Sequence, residues 1–290
     1  NAINNGEPPS SVIKRDCTAG TTCPAVSVAT METEDKHGTA VAEIVRDMAP
    51  GATLMLLKEA DDVDLGNAKN VAIANGATAI CHSVVWPNTS FTDNTGPITA
   101  IANSARASGV HWVNAAGNFG DGFHWRGTFS DPDADGLHNF SGSDFTNGFF
   151  ATAGTTLRFF LTWNAWPTTN QDYDFGVLDN SLNVLTGSAE LQTGTQPPTE
   201  AFPFIVPATG TYSIAIAKDS GPGNATFGLF VAPAGTGPFL EYASADHSLM
   251  PPADGTGVVT VGAIDEDNWT SGPKESFSSQ GPTNDGRTKP

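Results

Sequence analysis

The chain has 290 residues, room for about two domains. Thirteen Lys and Arg against 31 Asp and Glu leave a net charge of −18, which excludes a protein that grips nucleic acid through its phosphates and argues against an anionic membrane surface. Gly (31) and Pro (20) are frequent without reaching low complexity, so the chain reads as globular, turn-rich and long enough for a sizeable core.

Residues 1–25 are polar and punctuated by Gly and Pro, with one apolar pair at Val12-Ile13. Val26 and Val28 flank Ser27 and signal a short strand. Val41, Ile44, Val45 and Met48 fall at i, i+3, i+4 and i+7, which predicts an amphipathic helix ended by Pro50-Gly51. Residues 53–58 read as a buried strand. Ala68, Val71, Ala72 and Asn75 predict a second helix stopped by Gly76, and 77–85 a second strand. Pro97 opens a third helix, with Ile98, Ile101, Ala102 and Ala105 on one face and Gly109 past its end. Residues 110–115 are a third strand. Strands and helices alternating in this way predict a parallel sheet with helices on both faces.

The grammar changes after Asn118. Between residues 120 and 242 no helix is apparent. Short runs at 156–163, 175–178, 202–206, 211–217 and 225–231 are separated by Gly, Pro and Asn, the spacing of a β-sandwich. Residues 258–263 return to the buried-strand pattern. The expected organisation is an α/β domain over 1–119, an inserted all-β sandwich over 120–242, and the α/β domain continued over 243–290.

No apolar run approaches the ~20 residues of a membrane helix, and no signal peptide is visible. The sequence opens at Asn1 and stops at Pro290 inside a motif, so a fragment lacking both ends is expected. Low charge content (15%) with abundant Ser, Thr, Asn and Gly leans towards a secreted bacterial protein. Cys17 and Cys23 could close a small disulfide in an oxidising compartment or stay as two free thiols. Cys81, in an apolar stretch, is expected in the core. No Cys/His spacing suggests zinc.

Three segments carry candidate chemistry. Asp35-Lys36-His37-Gly38-Thr39 sets a histidine at the start of the first helix. Gly109-Val110-His111-Trp112-Val113-Asn114-Ala115-Ala116-Gly117-Asn118 is a buried strand ending in two small residues, a Gly and an amide side chain, at the edge where open α/β sheets bind ligands and where such an amide can donate to an oxyanion. Phe277-Ser278-Ser279-Gln280-Gly281-Pro282 is a polar loop. In this order, with Met48-Ala49-Pro50-Gly51-Ala52 and Val259-Thr260-Val261-Gly262-Ala263, they resemble the subtilisin-like serine proteases over about residues 26–118 and 243–290.

The resemblance implies a Ser-His-Asp triad. It makes His37 the general base and Asn118 the oxyanion donor. It makes Ser83-Val84-Val85 the segment that pairs with the backbone of a polypeptide substrate; Val85 stands where the family has Gly, and Glu43 where it has a small residue. The nucleophilic Ser is expected beyond Pro290 and the Asp before Asn1. Asp16 is the substitute within the chain, disfavoured because Lys14-Arg15 should not end a buried strand. The implied function is secreted endopeptidase activity. The alternative is an inactive scaffold presenting the sandwich to a glycan or protein.

The inserted region resembles the pre-peptidase C-terminal domains of bacterial secreted peptidases through residues 157–163, Asp172-Tyr173-Asp174-Phe175 and Gly210-Thr211-Tyr212-Ser213-Ile214. Trp163, Trp166 and Tyr173 suit a binding platform or, as favoured, the core. Asp131, Asp133 and Asp135 with Gly136 form the front half of a calcium loop, although position 12 is Gly142 and Asp144 lies close by. An acidic solvated turn is the alternative.

Overall fold

The computed structural model describes residues 12–31, 36–233 and 239–290. Asp35 of the histidine motif lies outside them. The first strand is β1 (Ile13–Asp16), parallel to β2 (Met55–Lys58). Lys14-Arg15 was expected not to end a buried strand; a strand forms here, with both residues half-buried. The pair is only half-buried, so each cation finds a carbonyl: Lys14 Nζ donates to Val12 O at 2.7 Å and Arg15 Nη1 to Cys23 O at 3.2 Å. Where a strand was expected at 26–28 there is one helical turn, α1 (Val28–Met31). Cys17 and Cys23 are bridged and buried behind β1.

Helix α2 (His37–Met48) forms as its periodicity predicts, but its apolar stripe is covered only in part, with Val41 and Val45 half-buried. Ala42 alone is buried, while Ile44 is 64% and Met48 79% exposed. Helix α3 (Asp62–Ala74) is capped by Asp61, whose carboxylate accepts from Asp64 N at 2.9 Å. Helix α4 (Pro97–Ala107) starts on Pro97, as its missing N–H allows. Strands β3 (Ala79–His82) and β4 (His111–Ala115) pair in parallel. Leu65 of α3 and Ile98, Ala102 and Ala105 of α4 pack on Trp112 of β4. Cys81 is exposed rather than core. Side chains alternate along β3, and it is His82 that turns inward onto the Trp112 ring.

The antiparallel region holds two four-stranded sheets. One runs β10 (Thr199–Ile205), β7 (Thr156–Trp163), β12 (Thr226–Ala232), β5 (His124–Thr128). The other runs β6 (Asn147–Ala151), β11 (Gly210–Ser220), β8 (Asp172–Leu178), β9 (Val184–Ser188). Their inner faces interdigitate through Leu157, Phe159, Tyr173, Ile214 and Phe227. Trp163 and Tyr173 are fully buried, the core role favoured from sequence. Trp166 is half-buried, its Nε1 donating to Thr162 Oγ1 at 2.9 Å. Strands β5 and β12, first and last of the region, pair through His124 and Phe230. The chain therefore leaves and rejoins the α/β part on neighbouring strands. It resumes as β13 (Val258–Val261), parallel to β4, giving the order β13–β4–β3. The fold is α/β with small parallel sheets, interrupted by a β-sandwich.

Candidate active site

His37 is the first residue of α2 and is exposed. Its Nε2 lies 2.9 Å from Ser83 O. A carbonyl only accepts, so Nε2 is the donor. Ser83, Val84 and Val85 continue from the C-terminal end of β3. Two further bonds hold this segment and the next residue, Trp86. Asn114 Nδ2 donates to Val84 O at 3.2 Å, and Trp86 N to Pro251 O at 2.9 Å. Val85 is half-buried against Phe119, Phe123, Phe230 and Met250, so the sandwich strand β12 backs this segment directly. The helix histidine and the Ser83–Val85 segment, placed far apart in sequence, are thus brought together.

Asn118 is exposed, three residues past β4. The turn beneath it is clasped by the loop that follows β13. Ser279 N donates to Gly117 O at 2.8 Å, Phe119 N to Ser279 Oγ at 2.9 Å, and Gly120 N to Phe277 O at 3.0 Å. Gly117 sits at φ 108°. A Cβ there would stand 2.9 Å from Ser279 Oγ, so the clasp needs glycine. Ser278 and Ser279 are both buried. Ser278 Oγ accepts from Ala263 N at 3.0 Å. These hydroxyls hold backbone.

Asp16 ends β1 and is largely buried. Its Oδ1 accepts from Thr18 Oγ1 at 2.6 Å and Thr18 N at 3.0 Å, and Lys58 Nζ stands 3.9 Å from Oδ2. The Thr18 bonds, with Lys58 behind them, hold its carboxyl below the usual range against the opposing effect of burial.

The chain superposes on the CspB protease of Clostridium perfringens with a TM-score of 0.61 and 12% identity, covering 96% of this chain and 69% of that one. Its fold is that of a subtilisin-like protease. At this identity the likeness is one of fold. The pre-peptidase C-terminal domain of a Bacillus anthracis collagenase matches 42% of this chain and 95% of its own, at 14% identity and a TM-score of 0.26. No protein-family model and no curated protein sequence matches.

Within the same fold, sequence reasoning missed a polar chain that runs from the half-buried Glu59 to the buried His82 and Asn114. Glu59, His82 and Asn114 are hydrogen-bonded in series, with His82 Nδ1 2.6 Å from Asn114 Oδ1 and Nε2 3.3 Å from Glu59 Oε1. The available signal was an amide inside an apolar strand. Away from the helix histidine, Asp131, Asp133 and Asp135 each place a carboxylate oxygen within 4.8 Å of the others, close enough to hold a metal ion such as calcium. The turn is closed by Asp135 N and Gly136 N donating to the Asp131 carboxylate at 3.1 and 3.0 Å. No helix among the described residues is long and apolar enough to cross a membrane.

Proposed function

We propose that this chain carries part of the active site of a secreted subtilisin-like serine endopeptidase acting on polypeptides. The observation that carries the reading is the contact of His37 with Ser83, which sets the helix histidine against the segment assigned to substrate. His37 is the general base that relays the proton from serine to the leaving amine. Asn118 donates to the oxyanion that forms on the scissile carbonyl, and the Ser279 clasp keeps it in place. Ser83, Val84 and Val85 pair with substrate backbone. Two sources for the orienting carboxylate were open, a residue before Asn1 or Asp16. Asp16 is preferred because it ends a strand of the parallel β1–β2 pair, the usual position for a ligand-facing group in an α/β sheet.

The sandwich over 120–242 is an insertion, supported by the pairing of its first and last strands. Calcium is the ion assigned to Asp131, Asp133 and Asp135, because three carboxylates in one turn suit a hard cation. Asn139, ninth in that loop, is buried with both amide atoms lacking a protein partner. The disulfide supports an oxidising compartment, hence secretion. The experiment is peptide hydrolysis by the full-length protein and by its His37→Ala variant. Loss of activity in the variant supports the reading. A full-length protein that cleaves no peptide supports instead a scaffold that presents the sandwich to a glycan or protein.

A further inference from the structure

Strand β4 is flanked on both sides and has every reason to be apolar, yet Asn114 within it is fully buried. All its directions are used. Nδ2 donates to Val84 O at 3.2 Å and to Ala115 O at 2.9 Å. Oδ1 accepts from Trp112 Nε1 at 3.1 Å and faces His82 Nδ1 at 2.6 Å. An indole N–H can only donate and a carbonyl only accept, so the amide has one orientation. His82 must therefore present Nδ1–H; Nε2 stands 3.3 Å from Glu59 Oε1, which accepts from it when the ring carries its second proton.

Successive carbonyls of an extended segment point in opposite directions. Val84 O turns inward to Asn114. Ser83 O consequently turns outward, where His37 Nε2 meets it at 2.9 Å. One amide thereby fixes which backbone edge of residues 83–85 faces the histidine. The same residue lies in the strand that runs on into Gly117 and Asn118.

We propose that Asn114 is the positioning residue of this site. Its amide, locked by His82 and Trp112, sets the register of the Ser83–Val85 edge against the turn that carries Asn118. This rests on the reading of residues 83–85 as the substrate-binding edge.

The test compares Asn114→Asp, Asn114→Ala and Leu65→Ala in the full-length protein. Asp keeps the shape and the acceptor for Trp112 and His82 but cannot donate to Val84. Leu65→Ala loosens the same apolar core without touching the segment. Hydrogen exchange at the amides of residues 84–86 should speed up at least tenfold in Asn114→Asp over Leu65→Ala, compared at equal melting temperature. His82→Gln, which can still donate to Oδ1, should stay near wild type, and His82→Met should follow Asn114→Asp. For peptide hydrolysis, Asn114→Asp should raise KM about tenfold with a smaller change in kcat. Exchange no faster in Asn114→Asp than in Leu65→Ala overturns the proposal. A wild-type protein that cleaves nothing removes the proposed function instead, and the exchange comparison still decides the role of Asn114.

Discussion

His37 Nε2 donates to Ser83 O across 2.9 Å, tying the first turn of α2 to the segment leaving β3, 46 residues further on. The nitrogen that would take a proton from serine thus holds one in this structure. To act as base it must release Ser83 O and present a lone pair. His37→Ala should lower peptide hydrolysis by several powers of ten. His37→Gln can keep the bond to Ser83 and should restore stability without activity. Hydrolysis that survives either change would remove His37 from the mechanism.

Asp16 has its carboxyl held down, chiefly by the Thr18 hydroxyl. An acid with a lowered folded pKa stabilises the protein above its unfolded value, 3.8, and loses that contribution as pH falls through the folded value. Asp16→Asn should therefore destabilise at neutral pH, and the deficit should shrink as pH falls below 3.8. If Asp16 also orients His37, kcat should fall by about 10³–10⁴ with KM little changed. A stability deficit with full activity would return the orienting role to a residue elsewhere in the protein.

Gly117 is strained for any other residue, with φ 108° and Ser279 Oγ within 2.9 Å of where a Cβ would stand. Gly117→Ala should cost about 1–3 kcal/mol of stability from backbone strain alone. It should also release the Ser279 bond to Phe119 N and so displace Asn118. Chemical denaturation checks the first effect. A loss in kcat of about 10²–10³, the size expected for a misplaced oxyanion donor, checks the second.

The pattern of strands and helices was legible because apolar periodicity is a property of each segment on its own. Helix α2 shows its limit. Val41, Ile44, Val45 and Met48 announce a buried face, but periodicity does not say what covers it, and Ile44 and Met48 stand exposed. Strand β1 was hidden for the opposite reason. Lys14 and Arg15 look wrong for a sheet until each is seen to donate to a nearby carbonyl. Strands β5, β6 and β9 were missed as well. In β5, His124 and Arg126 break the apolar signal. In β9, Val184 and Leu185 are exposed, so no alternation was there to read. His37 and Asn118 stood out through short motifs, whereas Asn114 and His82 matter through contacts between strands that only the folded chain makes.

Two buried histidines set the acid response of the sandwich. His124 donates Nδ1–H to Ser244 O at 2.9 Å, while His138 accepts from Ser130 N at 3.0 Å and buries its other nitrogen among Trp125, Phe129 and Phe140. Burial pushes both down to about 4 from 6.5. The unfolded chain takes up these protons first, so stability should fall as pH drops from 6.5 towards 4. At 1.36 kcal/mol per pH unit, each contributes a loss of about 3 kcal/mol. His124→Gln or His138→Gln should flatten the dependence of stability on pH near 5 by about one proton. An unchanged slope would mean that both rings titrate freely in the folded protein.

Asp131, Asp133 and Asp135 concentrate three carboxylates in one turn of a chain with net charge −18. Like charges this close repel unless a cation or water separates them. The Asp131 carboxylate is already partly stabilised by the N–H groups of Asp135 and Gly136, which shapes the turn without neutralising it. Calcium would remove the repulsion and give the unpartnered amide of Asn139 a ligand to approach, directly or through water. With Gly142 at the twelfth position no bidentate Glu closes the loop, so affinity should be weak, about 10⁻⁴–10⁻³ M. Calcium at a hundredfold excess over Kd should then stabilise by about 2.7 kcal/mol, visible in thermal melting with calcium against chelator. Asp133→Ala should abolish the shift, and Asn139→Ala should reduce it. Melting curves that coincide with and without calcium would make the segment an acidic turn held by its own backbone bonds.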